Sequence, residues 1–126
     1  MMKVLVIDDE AMIRDLATKI LTRAGIEVLT AASGQAGIDA LGQHLQEINV
    51  IILDVTMPGL SGMDTLRALR QLSPSVPCVL SSGMGMEADE VPEDLRSNLH
   101  FLQKPYRSQV LVGKVKEVAA MAGIQI

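Results

Sequence analysis

Short apolar segments alternate with longer segments of helical period along this chain, and this alternation restricts the fold more than any other feature. The short segments cover residues 3–7, 27–30, 49–53, 77–80 and 99–102. Four of them are nearly continuous in apolar character, as strands buried on both faces of a parallel sheet must be. A strand followed by a helix five times, with short right-handed connections, predicts an α/β protein of (βα)5 type, in which helices cover both faces of a parallel sheet.

Apolar residues spaced three and four apart mark the helices between these strands. The apolar face predicted for the first helix combines residues four apart, namely Met12, Leu16, Ile20 and Ala24, with Ile13, Ala17 and Leu21 beside them. Ser33, Ser61 and Ser108 are candidate N-caps of the second, third and last helices. The segment 83–98 has a poor apolar period and contains Pro92, so we expect a short or distorted fourth helix there.

The composition fits a single domain over residues 1–126 and excludes several classes of function. Apolar residues make up 48% of the chain, which is enough for a core. The net charge of −4 lacks the basic excess of a nucleic-acid-binding protein, so we expect no direct nucleic-acid partner. No apolar run approaches the roughly 20 residues of a membrane span, and no signal-peptide pattern is present. We therefore expect no membrane insertion, and a cytoplasmic protein.

Polar side chains stand at the carboxyl ends of four of the five predicted strands. They are Asp8, Asp9 and Glu10 after the first strand, Asp54 after the third, Ser81 and Ser82 after the fourth, and Gln103, Lys104 and Pro105 after the fifth. Each has an ordinary alternative when taken alone, such as a helix N-terminus or a turn. Ligands of open α/β sheets bind outside the carboxyl ends of the strands, so we predict that these residues form one site.

The residue types at this edge predict phosphoryl chemistry with a divalent cation. Carboxylates gathered within a few ångströms repel one another, so one must take up a proton or a cation must enter. Oxygen-only ligands suit Mg²⁺, while a lysine and a serine hydroxyl suit the oxygens of a phosphoryl group. A carboxylate is also able to act as the nucleophile and form an aspartyl phosphate. Asp54, from the central strand, is the residue best placed to do so.

Four segments of the chain then resemble one family, the receiver (REC) domain of two-component response regulators. The segments are VLVIDDE, IILDVTMPGLSG, VLSSG and FLQKPY, and they occur in the order and spacing of that family. The resemblance covers the whole chain. It implies a flavodoxin-like fold with a five-stranded parallel sheet of order 2-1-3-4-5, and a role in a phosphorelay as a phosphoacceptor signalling domain.

The resemblance also implies the phosphorylation site and its metal. Asp54 would be the phosphoacceptor, receiving the phosphoryl group from a histidine of a sensor histidine kinase or a histidine phosphotransfer domain. Asp9 and Asp54 would bind Mg²⁺ directly, together with the backbone carbonyl of Thr56. Asp8 would help to hold the ion, through water.

The switching residues are implied in the same way. Lys104 would contact the phosphoryl group, with a cis peptide bond to Pro105. Ser81 occupies the switch hydroxyl position, which is more often threonine, and Phe101 the switch aromatic position. Phosphorylation would change the face formed by the fourth helical segment, the fifth strand and the last helix, where a downstream protein or a second copy of the chain would bind. Such a domain is a switch with autodephosphorylation and not an enzyme.

Two other functions are open from the residues alone. An aspartate-nucleophile phosphatase would need a second acid two residues after its nucleophile, whereas Thr56 stands there. A degenerate receiver would act only as a docking module, although here all the acid, lysine and hydroxyl positions are filled. Within the receiver family, SSG followed by FLQKPY is more typical of domains attached to hybrid sensor histidine kinases than of DNA-binding regulators.

Overall fold

The computed structural model describes residues 2–56, 61–83 and 90–123. The strands are β1 (Lys3–Ile7), β2 (Glu27–Ala31), β3 (Val50–Asp54), β4 (Cys78–Ser82) and β5 (Leu99–Gln103). The α-helices are α1 (Ala11–Arg23), α2 (Gly34–Gln43), α3 (Gly62–Leu72) and α4 (Ser108–Met121), and a 3₁₀ helix covers Glu93–Leu95. Within the described ranges, no helix is both long and apolar enough to cross a bilayer.

The five strands form one parallel sheet of order β2-β1-β3-β4-β5, which confirms the predicted flavodoxin-like topology. Every residue of the central strand β3 and of its neighbour β4 is buried. This explains why their sequences are continuously apolar until the last residues. The polar exceptions, Asp54 in β3 and Ser81 in β4, lie side by side in the strand register at the carboxyl edge.

Two apolar layers enclose the sheet, and β1 illustrates how alternate residues divide between them. Val4 and Val6 belong to the layer that includes α1 and α4, where Leu21 and Leu111 are fully buried. Leu5 and Ile7 belong to the layer that includes α2 and α3. Residues on opposite faces of one strand therefore serve separate cores, as expected for a sheet covered on both sides.

The predicted caps agree with the structure for two helices and fail for one. The Ser33 and Ser61 hydroxyls each accept a hydrogen bond from the backbone N–H three residues on, at 3.1 and 3.0 Å. Ser108 was the wrong residue for α4, because the chain is already extended at Arg107 and Ser108 is the first helical residue. Within the described part of the chain, no side-chain hydrogen bond caps that end of α4.

The inward stripe predicted for α1 is longer than the face that the helix buries. Ala17, Ile20 and Leu21 are buried, whereas Met12 is 83% exposed and Leu16 38% exposed. The prediction that Met12 and Leu16 face the core was therefore wrong. Helical spacing identifies residues that share a stripe, but it does not indicate how far along the stripe the neighbouring layer extends.

The segment predicted as a short or distorted fourth helix lies partly outside the described residues, which resume at Glu90. Its described part contains the 3₁₀ helix Glu93–Leu95, which starts directly after Pro92. Val91 and Leu95 are buried and attach this stretch to the core layer shared by α2 and α3. The described residues between β4 and β5 thus form no α-helix.

Arg70 of α3 holds the stretch that leads into β5. Its guanidinium donates hydrogen bonds to the backbone carbonyls of Val76, Ser97 and Asn98. We expect Arg70→Met to lower the free energy of unfolding by about 2 kcal/mol, because three backbone carbonyls lose a charged donor that they share. Arg67→Met is the matched control, since its ion pair with Asp94 is exposed and should change stability by no more than about 0.5 kcal/mol. If urea unfolding showed the same decrease in the free energy of unfolding for both variants, this role of Arg70 would be contradicted.

Candidate functional site

The predicted site residues meet at the carboxyl edge of the sheet. Asp8 directly follows β1 and is fully buried, and Asp54 ends β3 with 1% of its surface exposed. Ser81, fully buried in β4, pairs with Asp54 in the register. Lys104 directly follows β5, and its side chain is 9% exposed. The parallel order of the strands brings these four residues together although they are far apart in sequence.

Lys104 is the positive centre of the site. Its Nζ lies 2.7 Å from Asp8 Oδ2, 3.0 Å from Asp54 Oδ2 and 3.6 Å from Glu10 Oε1. The backbone N–H of Lys104 donates to the Ser82 carbonyl at 2.9 Å, which ties the residue to β4. The peptide bond between Lys104 and Pro105 is cis, as predicted. The ammonium therefore supplies, from within the chain, one of the cations that clustered carboxylates require.

Asp54 is held as a carboxylate by its hydrogen bonds. The backbone N–H and the hydroxyl of Thr56 both donate to Asp54 Oδ1, at 2.9 and 2.7 Å. Burial acts to raise the pKa of Asp54, but the two Thr56 hydrogen bonds and Lys104 outweigh it, so the pKa lies below the ordinary aspartate value. The side chain is consequently ionised at neutral pH, which a nucleophile requires.

Asp8 has the opposite electrostatic balance. Burial raises the pKa of Asp8, and the Lys104 ammonium and the hydrogen bond from the Glu10 backbone N–H oppose that rise without cancelling it. The Asp8 backbone is also fixed, because Arg14 donates to its carbonyl oxygen at 2.7 Å. The two buried acids thus differ, with Asp54 favouring the charged form and Asp8 resisting it.

Four acids in this site could hold a metal ion. One carboxylate oxygen from each of Asp8, Asp9, Glu10 and Asp54 lies within 4.8 Å of the others. Buried atoms Asp8 Oδ2 and Asp54 Oδ2 have no aligned hydrogen-bond donor among the described residues, although both lie near the Lys104 charge. Oxygen-only donors with unused lone pairs fit Mg²⁺, and the exposed Asp9 and Glu10 leave access for the waters that Mg²⁺ retains.

Glu10 was predicted to lie at this edge but was given neither a metal nor a phosphoryl role, and it belongs to the acid cluster and lies near Lys104. Its position directly after Asp9 was the available signal. Thr56, predicted only for its carbonyl, also orients the Asp54 side chain through two hydrogen bonds. The carbonyl as a metal ligand stays a prediction.

Close packing explains a glycine near the site. Gly62 starts α3 against Val55, the residue directly after Asp54, and an added Cβ would stand 2.9 Å from the Val55 Cα. Real Cβ atoms do not come that close to a backbone atom, so a side chain at Gly62 would displace the chain beside Asp54.

The two predicted switch residues lie in the neighbouring strands β4 and β5. The Ser81 hydroxyl is buried and has no hydrogen-bond partner among the described residues. Phe101 of β5 is half-buried, neighbours Leu80 in the register and packs on the core layer of α2 and α3. Cys78, at the other end of β4, is a buried thiol whose pKa burial raises to about 11, so it acts as an apolar side chain.

Comparison with known proteins agrees with this geometry. Residues 4–116 match the family described as the response regulator receiver domain. The transcriptional regulatory protein CpxR of Escherichia coli K12 is 31% identical over 118 residues, which cover 94% of this chain and 49% of CpxR. The chain therefore spans about half the length of that relative.

Two solved structures extend the comparison. A response regulator receiver domain protein from Clostridium thermocellum is 31% identical with a TM-score of 0.85, and the match covers 98% of both chains. The receiver domain of the hybrid histidine kinase CckA is 28% identical with a TM-score of 0.80, covering 93% of this chain and 98% of that one. This chain belongs to the response regulator receiver domain family, the signalling switches that are phosphorylated on aspartate in two-component systems.

Proposed function

We propose that Asp54 is the phosphoacceptor of this receiver domain. The observation that carries the proposal is a buried, ionised carboxylate whose Oδ2 lies 3.0 Å from the Lys104 ammonium. A carboxylate oxygen of Asp54 attacks the phosphorus of a phosphohistidine, and the phosphorus–nitrogen bond breaks. The released imidazole takes up a proton, and the product is an aspartyl phosphate.

We infer that Mg²⁺ is the cofactor of this transfer. Asp9 and Asp54 would bind the ion directly, with the Thr56 backbone carbonyl as a further ligand and Asp8 acting through water. When bound, the ion supplies positive charge to the phosphoryl oxygens. Lys104 offers a second positive charge, since its Nζ already lies within 3.0 Å of a carboxylate oxygen of both Asp8 and Asp54.

The switch follows from the charge that phosphorylation adds. A phosphoryl group brings about −1.5 to −2 charges and three strong acceptor oxygens into a buried site. We propose that Lys104 contacts this group and that the Ser81 hydroxyl turns toward it. Phe101, on the neighbouring strand, would then change rotamer and alter the surface formed by residues 90–98, β5 and α4. Autodephosphorylation would return the surface to its resting form.

The proposed phosphoryl donor is a sensor histidine kinase or a histidine phosphotransfer domain in the cytoplasm. The exposed Met12, one residue into α1 and close to Asp9, supports this partner, because an apolar side chain beside the site suits packing against another protein. The receiver of the hybrid kinase CckA supports a hybrid-kinase context for residues 1–126 as one receiver domain. A downstream protein or a second copy would bind the altered surface, with no direct nucleic-acid contact.

Metal dependence tests the proposal without a protein donor. Acetyl phosphate is a small donor that needs no docking surface, so uptake from it reports the chemistry of the site alone. We expect uptake that requires Mg²⁺ and stops when a chelator is added. Asp9→Asn should raise the Mg²⁺ concentration for half-maximal uptake about tenfold or more, because a charged ligand is lost.

Asp15→Asn is the matched control, since Asp15 is also an exposed acid of the same chain region, in α1. It should leave the Mg²⁺ titration of phosphoryl uptake unchanged. Uptake that proceeds equally in chelator, or equal titration midpoints for Asp9→Asn and the unaltered chain, would contradict the proposed metal site.

A further inference from the structure

Two buried hydroxyls near the proposed phosphorylation site have no hydrogen-bond partners among the described residues. They belong to Ser81, which is fully buried, and to Tyr106, which is 6% exposed. A buried hydroxyl without a partner destabilises a protein, because folding has removed its hydrogen bonds to water and supplied none in return. Phenylalanine would fill the same space at position 106 without this destabilisation. We therefore looked for a role of the phenol hydroxyl in the phosphorylated state.

The fold brings the two hydroxyls to the same place. Tyr106 lies two residues after Lys104, whose backbone N–H donates to the carbonyl of Ser82 at 2.9 Å. Burial raises the pKa of the Tyr106 phenol, and the facing Ser81 hydroxyl and the nearby Lys104 ammonium oppose that rise. The aromatic ring packs in the core layer shared by α1 and α4. Val79 belongs to the same core layer and precedes Ser81 by two residues in β4, so side-chain alternation places Ser81 on the face of the sheet against which Tyr106 packs.

We propose that Tyr106 is a positioning residue whose phenol donates a hydrogen bond to Ser81 Oγ when the Ser81 hydroxyl donates to a phosphoryl oxygen on Asp54. This relay rests on the proposed phosphorylation of Asp54. No covalent bond changes. A serine hydroxyl has one proton to donate and two lone pairs to accept, so both bonds form at once. Both hydroxyls, for which the described residues offer no partner, thus gain one in the phosphorylated protein.

A positioning residue such as Tyr106 is useful because position 81 is a serine. A threonine at a switch position has a branched Cβ and hence a restricted χ1 angle, whereas a serine hydroxyl rotates more freely. A fixed phenol donor compensates, because it favours the Ser81 rotamers that leave the serine proton directed toward Asp54. Hydrogen bonds in a chain also polarise one another, so the phenol strengthens the bond from Ser81 to the phosphoryl group.

A double-mutant cycle with beryllofluoride, a phosphoryl mimic that binds aspartate carboxylates with Mg²⁺, tests the relay. We expect Tyr106→Phe to weaken beryllofluoride binding about five- to tenfold, the effect of one hydrogen bond. Ser81→Ala should weaken it at least as much. In the Ser81→Ala background, Tyr106→Phe should have no further effect, because the relay has lost its middle member. Mg²⁺ affinity without beryllofluoride should be the same in all four proteins.

The chain offers a spectroscopic readout as well. It contains one tyrosine and no tryptophan, so its near-ultraviolet absorbance band reports Tyr106. Beryllofluoride should shift this band to longer wavelength as the phenol becomes a donor, and the shift should be absent in Ser81→Ala. The thermal midpoint of resting Tyr106→Phe should equal or exceed that of the unaltered chain, because an unpaired buried hydroxyl is removed.

The outcomes separate this proposal from the one on which it rests. Two results would overturn the relay while leaving phosphorylation of Asp54 in place. In the first, the unaltered chain binds beryllofluoride and Tyr106→Phe does not change the affinity. In the second, Tyr106→Phe weakens binding equally in the Ser81 and Ser81→Ala proteins. If the unaltered chain neither binds beryllofluoride nor takes up a phosphoryl group, both proposals fail together.

Discussion

A chain carrying Asp54→Asn takes up no phosphoryl group from acetyl phosphate and Mg²⁺, whereas the unaltered chain gains one; this is the largest effect that we expect. The amide keeps the size of the side chain but removes the negative charge of the nucleophile. The Thr56 hydrogen bonds to Oδ1 remain possible, since an amide oxygen also accepts them. Intact-protein mass spectrometry measures the uptake.

The control is Asp39→Asn, which alters an exposed acid of α2 bound only to Gln35 among the described residues. It should be phosphorylated like the unaltered chain. Asp54→Asn should still fold, because Lys104 keeps its ion pair with Asp8 at 2.7 Å. Undiminished uptake by Asp54→Asn would place the phosphoryl group on another residue and refute the assignment.

The second large effect concerns folding. We expect Lys104→Met to lower the free energy of unfolding by about 3 kcal/mol at neutral pH without Mg²⁺, because it leaves Asp8 and Asp54 buried with no cation between them. The loss falls at the low end of the range for broken buried pairs, since Asp8, with its raised pKa, is able to take up a proton. Lys116→Met, on the exposed side of α4, is the matched control and should change little.

The pH dependence of that loss follows from the pKa shifts. The pKa of Lys104 is raised in the folded protein, so its stabilising effect is complete at neutral pH and is lost only in strong alkali. The lowered pKa of Asp54 stabilises the fold above 3.8, the ordinary value, and this contribution disappears as the pH falls through the folded pKa. Acid also protonates Asp8, which removes the repulsion between the Asp8 and Asp54 carboxylates in Lys104→Met.

The stability gap between Lys104→Met and the unaltered chain should therefore narrow as the pH falls below about 4, and also when Mg²⁺ is added at neutral pH. Urea unfolding at several pH values, with and without Mg²⁺, measures the gap. Equal stability at neutral pH, or a gap that neither acid nor Mg²⁺ changes, would contradict the role given to Lys104.

The sequence was most informative where the fold imposes one arrangement on it. Continuous apolar runs identify strands buried on both faces, and parallel strands must present their carboxyl ends at one edge. The meeting of Asp8, Asp54, Ser81 and Lys104 was therefore predictable, and their distances agree with it.

Other features depend on details that a pattern of residue types does not contain. The exposure of Met12 depends on where the core layer beside α1 ends. The two hydrogen bonds from Thr56 to Asp54 depend on the backbone turn that follows β3. The facing of Tyr106 and Ser81 depends on the path of the chain after Lys104. These are consequences of three-dimensional packing, and single residues carry little signal for them.

Identification of the modified residue tests the central claim most directly. An aspartyl phosphate formed with acetyl phosphate and Mg²⁺ is reduced by borohydride to homoserine, which marks its position for peptide mass spectrometry. We predict homoserine at position 54 and at no other acid. Homoserine at Asp8, Asp9 or Glu10, with Asp54 unaltered, would contradict the account.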